Sequence, residues 1–327
     1  MQIPLDLART LAAVIDEGTF DAAARRLRLT PSAVSQRVKT LEQQLGRVLV
    51  VRSKPARATE AGAAVVRLAR QLALLEHDAL AEFGLDSDAD RAGGAAADPR
   101  ARSASVRPVT IPLAVNADSL ATWFLPALAR VALAHPVVFD LHRDDQDFTA
   151  GLLESGTVMG AVTSQATPVA GCLVRPLGVM RYEAVATPAY IARWSAGRGD
   201  ARGAEPVASV LPDWLVHAPL VDFDRRDHLQ HDALEAAGFD PERAPRHYVP
   251  ASNDFASAVK LGLGWGMLPE FQSSAELERG ELVRLGGTPV AVPLHWQQWN
   301  LSSPLLDAVA EELAREARST LTEHAVA

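Results

Sequence analysis

Three short runs of apolar residues at helical spacing open the chain. Within each run the apolar positions lie mostly three or four residues apart, which is the period of one face of an α-helix. Gly18 ends the first run, while Thr30 and Pro31 give the third an N-cap and a favourable first helical residue. The pattern therefore predicts three consecutive short helices. Their apolar positions are Leu7, Leu11, Val14 and Ile15, then Ala22, Ala23, Ala24 and Leu27, then Ala33, Val34, Val38 and Leu41.

The third predicted helix is polar opposite its apolar stripe, as in the recognition helix of a helix-turn-helix. Hydroxyl, amide and cationic side chains on such a face can meet base edges and phosphates in the major groove of DNA. The β-branched run VLVVRS at residues 48–53 predicts a wing strand. We expect base contacts from Pro31, Ser32, Ser35, Gln36 and Arg37, and phosphate contacts mainly from Lys39, Arg52, Lys54 and Arg57.

The charge distribution agrees with an amino-terminal DNA-binding module. Residues 1–60 hold ten Lys and Arg against six Asp and Glu, a balance of +4, whereas the remaining residues hold 22 against 34, a balance of −12. These sum to the net charge of −8 for the whole chain. The excess positive charge thus lies on the module that would contact phosphate. The alternative is a small helical domain with a solvated basic face.

A second helical pattern follows the predicted wing. Thr59 is a suitable N-cap and Glu60 would lie at the positive end of the helix dipole. Apolar residues then recur at alternating spacings of four and three, from Ala61 to Ala79. This spacing is typical of the apolar stripe through which two helices pair. An ordinary core helix would show the same pattern. We expect a dimerisation helix over residues 59–83, with a seam formed by Val65, Leu68, Leu72 and Leu75.

Residues 84–108 separate this helix from the rest of the chain. The segment is rich in Gly, Ala, Ser and mixed charges and has almost no large apolar residue, so it predicts a flexible hinge. Strand and helix patterns alternate beyond it, which predicts an α/β domain with mainly parallel sheets. The strands are expected at residues 109–115, 137–142, 159–164, 182–188, 219–223, 246–252 and 264–270, and the helices at 119–134, 226–237, 254–261 and 304–321.

Polar residues at strand-to-helix junctions are the candidate small-molecule site, because ligands in open α/β sheets lie beyond the carboxyl ends of strands. Ser119 could hold a ligand carboxylate, while Asn116 and Asp118 could meet a cation; a plain N-cap is the alternative for this segment. Asp222 and Asp224 are candidates for a ligand cation, although helix capping by Asp224 is equally compatible. The remaining candidates for lining the cleft are Thr163, Ser252 and Asn253.

Several other classes of protein are not indicated. The sequence has no nucleophile elbow, P-loop, zinc-protease, paired-cysteine or dinucleotide-binding motif, so we expect neither an enzyme nor a cofactor. His217, His228 and His231 lack a further ligand at convincing spacing, so we expect no metal. The single Cys172, the charged first helix and the lack of a long apolar run favour a soluble cytoplasmic protein without a membrane partner.

The motif from Ala22 to Gly62, AAARRL--TPSAVSQRVKTLE-QLG--L--R, ending in T-AG, resembles the amino-terminal signature of LysR-type transcriptional regulators. The segments AVNADSLATWFLPAL (114–128), MGAVTSQ, CLVRPLG, VDFD and LHWQQW resemble the branch that regulates basic amino-acid export, of the ArgP and LysG type. The resemblance covers nearly the whole chain. Two stretches depart from it: the long linker at residues 84–108 and a Gly/Ala/Arg-rich insertion near 195–210.

The resemblance implies a winged helix-turn-helix at residues 1–58 and a two-lobed effector domain at 109–327, similar to periplasmic binding proteins. Lobe I would comprise about 109–178 and 265–327, and lobe II about 179–264. It implies a homodimer or homotetramer that binds an operator, works with RNA polymerase as an activator, and responds to lysine, arginine or histidine at an exporter gene. The alternatives are a LysR-type regulator of another pathway, an effector-independent DNA-architectural protein, or an enzyme or solute-binding protein fused to a DNA module.

Overall fold

The computed structural model describes residues 2–82, 108–143, 149–196 and 211–322. Its α-helices are α1 Leu5–Asp16, α2 Phe20–Leu27, α3 Pro31–Leu45, α4 Glu60–Glu82, α5 Ala117–Thr122, α6 Phe124–Ala134, α7 Thr149–Glu154, α8 Pro188–Ser195, α9 Leu229–Ala236, α10 Ser252–Lys260, α11 Glu270–Glu278 and α12 Pro304–Thr320. Its strands are β1 Val50–Val51, β2 Arg57–Ala58, β3 Val109–Val115, β4 Val137–Arg143, β5 Gly160–Thr163, β6 Cys172–Ala186, β7 Leu220–Asp222, β8 Arg246–Tyr248, β9 Gly266–Pro269, β10 Val283–Arg284 and β11 Val290–Trp299.

The chain divides into two compact units. Unit 1 comprises Met1–Val115, Leu128–Arg175 and Trp296–Glu312, and unit 2 comprises Asn116–Ala127, Pro176–His295 and Leu313–Ala327. Strands β6 and β11 and helix α12 therefore each contribute residues to both units. The domain and lobe boundaries expected from the sequence stay predictions.

The amino-terminal helices confirm the predicted helix-turn-helix. The Thr19 side chain accepts a hydrogen bond from the Ala22 amide at 3.2 Å, and Thr30 caps α3 through the Ala33 amide at the same distance. Helix α3 ends at Gly46, whose φ of 65° is left-handed. The predicted apolar faces meet in one core, in which Leu11, Val14, Val34 and Leu41 are fully buried. The starts of α2 and α3 and the end of α3 are thus set by local sequence signals.

A two-stranded wing and the start of α4 complete the module. Strand β1 pairs antiparallel with β2, with Val50 opposite Ala58. Thr59 caps α4, because its hydroxyl accepts a hydrogen bond from the Gly62 amide at 3.1 Å and donates one to the Val48 carbonyl at 2.7 Å. A Cβ on Gly62 would lie 2.0 Å from the carbonyl oxygen of Leu49, so this close backbone approach requires glycine.

The effector-domain portion of unit 1 is built on parallel strands. Strand β3 pairs in parallel with both β4 and β5, with Val109 opposite Val137 and Leu113 opposite Gly160. Gly160 is required here, because a Cβ on it would lie 2.4 Å from the Trp296 ring. The buried indole covers this point of the sheet and keeps β5 in the core.

Unit 2 combines an antiparallel and a parallel set of strands. Strand β6 pairs antiparallel with β9 and with β10, and Tyr182 lies opposite Pro269. Strand β7 pairs in parallel with β8, with Asp222 opposite Tyr248. A cluster that includes Val185, Val221, Val259 and Leu268 packs the strands against α10. The α/β class predicted from the sequence is confirmed, but the antiparallel pairing of β6 with β9 and β10 makes the strand pairing mixed and not mainly parallel.

Several predicted elements differ in extent. The helix predicted at 119–134 is two helices that meet at Trp123, which follows α5 as its C-cap. The helix predicted at 226–237 begins only at Leu229, because the preceding residues form a turn. Helices α7, α8 and α11 and strand β10 were not predicted, since all are short. Strand β11 and residues 172–181 of strand β6 were not predicted either.

The predicted hinge lies outside the described residues except for Pro108, as does most of the inserted stretch near 195–210. In the described part of the chain, every helix is too short or too polar to cross a membrane.

Candidate DNA-binding and effector-binding sites

The predicted DNA-reading residues lie on one accessible face of α3. Pro31, Ser32, Gln36 and Lys39 are exposed, and Ser35 is partly exposed. The Ser32 hydroxyl lies 3.0 Å from the hydroxyl of Thr30, the N-cap residue, and this hydrogen bond helps to hold the Ser32 side chain in place. The face therefore presents hydroxyl, amide and cationic groups together, as major-groove recognition requires.

Arg37 differs from its neighbours on α3. Its guanidinium donates a hydrogen bond to the Thr10 hydroxyl of α1 at 3.4 Å, and the side chain is only partly exposed. This contact holds Arg37 toward the first helix. Its predicted base contact stays a prediction, and a role in fixing the angle between α1 and α3 is also compatible with the structure.

The wing presents its three predicted cations to solvent. Arg52, Lys54 and Arg57 are all exposed. The Arg52 guanidinium lies 5.1 Å from the centre of the Phe20 ring, a cation–π contact that joins the wing to the start of α2. Such stacking leaves guanidinium edges available to phosphate oxygens.

Glu42 holds the wing against the recognition helix, a role that was not predicted from the sequence. Its carboxylate accepts hydrogen bonds from the backbone amides of Leu49 at 2.8 Å and Val50 at 3.4 Å. Strand β1 thereby keeps a fixed position relative to α3. The only local signal was an acidic residue on the buried side of the last helical turns, which is too common a feature to identify this bond.

The predicted dimer seam on α4 is divided between a core and a surface. Val65 is buried and belongs to the core of the helix-turn-helix module. Leu68 and Leu72 are half-buried, and Leu75 is exposed. Val65 is thus already packed within its own chain, while the three leucines remain accessible along one stripe of the helix.

Asp118 is the centre of the candidate effector site in unit 2. The Tyr182 hydroxyl donates a hydrogen bond to Asp118 Oδ2 at 2.7 Å, and the Ser252 side chain is a second hydrogen-bond partner. Burial raises the pKa of the Asp118 carboxyl above its usual range, although the bonds from Ser252 and Tyr182 oppose that shift; the negative charge of Asp227 adds to it. A ligand cation would relieve this penalty.

Two buried polar groups neighbour Asp118 in sequence. Ser119 Oγ and Asn116 Oδ1 have no hydrogen-bond partner within the part of the chain that the structure describes. Ser119 is fully buried and Asn116 nearly so. Asn116 occupies the N-cap position of α5, but its side chain makes no capping bond there. The plain N-cap interpretation therefore does not account for Asn116, and both groups can take a polar ligand atom.

Helix α10 supplies the next part of the site. Ser252 is buried at the start of α10, and Asn253 follows it. The Gln272 side-chain amide donates to Ser252 Oγ at 2.9 Å and to Asn253 Oδ1 at 3.3 Å. Because Ser252 bonds both Asp118 and Gln272, the residues form one polar network. Tyr182 and Gln272 were not predicted, because their contacts join positions far apart in the sequence.

The other predicted acidic residues already have cationic partners. Asp222 forms an ion pair with Arg246 at 2.5 Å, and burial raises the pKa of its carboxyl even though Arg246 opposes this. Asp224 accepts hydrogen bonds from the Arg226 amide at 2.7 Å and its guanidinium at 3.2 Å. Slight burial works against ionisation of Asp224, but these bonds and the charge of Arg226 lower its pKa. Asp224 therefore caps a turn before α9.

One predicted residue, Thr163, belongs to unit 1, and a group of possible metal ligands lies on α9. Thr163 is buried at the end of β5, in unit 1, where its hydroxyl accepts a hydrogen bond from the Gln165 amide at 3.2 Å. On α9, ligand atoms of His231, Asp232 and Glu235 lie within 4.8 Å of one another. The two carboxylates are exposed, as acidic surface groups commonly are, and we assign no metal to them.

Comparison with known proteins places the chain in a family. Residues 5–63 match the bacterial regulatory helix-turn-helix protein, lysR family, and residues 110–318 match the LysR substrate binding domain. The chain belongs to the LysR family of bacterial transcription regulators. LysG from Mycobacterium tuberculosis is 42% identical over 301 residues, covering 92% of this chain and 89% of that protein.

Two solved structures of family members are similar over nearly their full length. The crystal structure of ArgP from Mycobacterium tuberculosis is 41% identical, covers 97% of this chain and 98% of its own, and has a TM-score of 0.76. Full-length LysG from Corynebacterium glutamicum, solved with the effector arginine bound, is 35% identical. The match covers 98% of this chain and 99% of that chain and has a TM-score of 0.72. The predicted family and branch are thus confirmed.

Proposed function

We propose that this LysR-family regulator responds to a basic amino acid, arginine or lysine, bound at the Asp118 network. The single observation that carries the proposal is the environment of Asp118. Its carboxylate takes hydrogen bonds from two hydroxyls, whereas Asp222 and Asp224 each pair with an arginine. Asp118 is therefore the predicted acidic residue best able to compensate a ligand cation.

The physical basis is the cost of burying a charge. A guanidinium or ammonium group taken out of water needs a nearby carboxylate, and a neutral amino acid of the same shape would leave that carboxylate uncompensated. Ser119 Oγ and Asn116 Oδ1 supply further polar groups for the amino-acid end of the ligand. A site of this composition favours cationic amino acids over neutral ones.

The relatives support the same class of effector and target. The Corynebacterium glutamicum LysG structure holds arginine as its effector, and LysG of Corynebacterium efficiens, 42% identical over 314 residues, is named a lysine export transcriptional regulatory protein. By analogy, the target would be an amino-acid exporter gene, activated through operator DNA and RNA polymerase by a homodimer or homotetramer. No catalytic role is proposed.

Replacement of single acidic residues tests the proposal. In the full-length protein, Asp118→Asn should weaken arginine and lysine binding more than about 10-fold, which corresponds to about 1.4 kcal/mol. Asp224→Asn is the matched control, because it makes the same change at a carboxylate that already pairs with Arg226. Titration calorimetry of both variants measures the difference.

Near-wild-type arginine affinity in Asp118→Asn would remove Asp118 from the site. A large loss of arginine and lysine affinity in Asp224→Asn alone would show that the ligand cation binds at the turn before α9 instead. Far-ultraviolet circular dichroism of both variants checks that the fold is kept.

A further inference from the structure

Arg70 of the linker helix α4 joins three elements of unit 1. Its guanidinium donates hydrogen bonds to the backbone carbonyls of Gly156 and Thr157, the latter at 2.8 Å, and forms an ion pair with Asp16 at the end of α1. The Arg70 side chain is only 14% exposed. One residue thus bonds both the DNA-binding module and the effector-domain portion of the unit.

The backbone contact around Arg70 is close and specific. Gly156 has a left-handed φ of 69°, and a Cβ there would lie 2.5 Å from Arg67 Cβ. Arg67 also donates a hydrogen bond to the Glu154 carbonyl at 3.3 Å, so two arginines of α4 bond carbonyls at the end of α7 and in the residues after it. The carbonyl of Glu154, the last residue of α7, carries the partial negative charge of a helix end, which suits the Arg67 guanidinium.

The segment held by Arg70 leads directly into a rigid strand. The Met159 amide donates to the Pro112 carbonyl at 2.8 Å, and the Met159 carbonyl accepts from the Trp299 amide at 3.0 Å. Strand β5 follows and pairs with β3, whose last residue, Val115, directly precedes Asn116 of the candidate effector site. The strand is buried throughout and paired with β3, so a shift at one of its ends is carried to the other.

We propose that Arg70 is a positioning residue that couples the effector site to the DNA-binding module. This inference rests on the proposed function, because it requires an effector that changes the position of β5. A shift of Thr157 with the strand would pull Arg70 away from either the carbonyls or Asp16. Since α1 and α4 belong to the same core, the shift would reorient the recognition helix.

Disruption of Arg70 should uncouple the two sites without abolishing either. In full-length Arg70→Gln, arginine should bind with affinity within about two-fold of wild type, while its effect on DNA affinity should fall about five-fold or more. Arg9→Gln is the matched control, because Arg9 pairs with Glu76 between the same two helices and touches none of the carbonyls after α7. Arg9→Gln should keep the wild-type response.

A double-mutant cycle locates the coupling. Asp16→Asn should also reduce the response to arginine, and the double variant with Arg70→Gln should lose no more than the Arg70 variant alone. Independent, additive losses would contradict a path through the Arg70–Asp16 pair. A wild-type response in Arg70→Gln would overturn the proposal.

Amide hydrogen exchange of the ligand-free protein tests the junction independently of any effector. Arg70→Gln should speed exchange both in α1 and at residues 156–163, whereas Arg9→Gln should affect only α1 and α4. If Arg70→Gln speeds amide exchange in α1 alone, the coupling is refuted, whether or not the protein binds an amino acid. If the junction behaves as expected but arginine and lysine do not bind wild type, the proposed effector is what fails.

Discussion

The side chains on the polar face of the recognition helix differ in their contacts with the rest of the protein, and this difference indicates different roles in DNA binding. The Gln36 side chain is exposed, whereas Arg37 is directed toward Thr10 of α1. A glutamine amide can bond the N6 and N7 atoms of adenine as a pair, which makes its contribution dependent on sequence. Wing cations such as Arg57 are predicted to contact phosphates, which are the same in every sequence.

We therefore expect Gln36→Ala to relax DNA discrimination by about 1–3 kcal/mol while leaving binding to random DNA nearly unchanged. Gln44→Ala is the control, because Gln44 is an exposed glutamine on the last turn of the same helix. Fluorescence anisotropy with operator and random duplexes at one salt concentration measures both affinities. Equal losses on the two duplexes would assign Gln36 to the phosphate backbone.

At the scale of elements, helix α4 serves two packing roles. One side, which includes Val65, Val66 and Ala69, packs into the helix-turn-helix core. The other side carries the accessible stripe of Leu68, Leu72 and Leu75. A second copy of the helix could cover this stripe and bring two recognition helices to adjacent half-sites.

Leu72→Glu should therefore dissociate the assembly, because a two-fold seam would bury two like charges together. Gln71→Glu is the control, since it adds the same charge one position away without removing an apolar side chain. The sedimentation coefficient, measured by sedimentation velocity, and the operator affinity should both fall for Leu72→Glu and stay unchanged for Gln71→Glu. Unchanged sedimentation with a lower unfolding temperature would instead make Leu72 part of an intramolecular core.

Elements with local stop and start signals were predictable, and those set by distant contacts were not. Thr30 and Pro31 fixed the start of α3 because a cap acts within one helical turn. The period of 119–134 continued smoothly across Trp123, so the break between α5 and α6 left no local sign. The bond from Tyr182 to Asp118 spans 64 residues of sequence, which no periodicity can indicate.

At the scale of the whole molecule, this LysR-family regulator combines a basic DNA-binding module with an acidic effector domain. The charge balance is +4 in residues 1–60 and −12 in the remaining residues. The amino-terminal module therefore attracts phosphates, and the rest of the chain attracts cations. The central claim is that the effector carries a positive side chain that Asp118 compensates.

Titration calorimetry of the full-length protein with L-arginine and L-citrulline tests this claim most directly. The two amino acids have nearly the same shape, but the citrulline side chain is neutral. We predict that arginine binds at least about 10-fold more tightly than citrulline, because only the guanidinium compensates the buried carboxylate. Equal affinities, or no binding of either arginine or lysine at millimolar concentration, would contradict it.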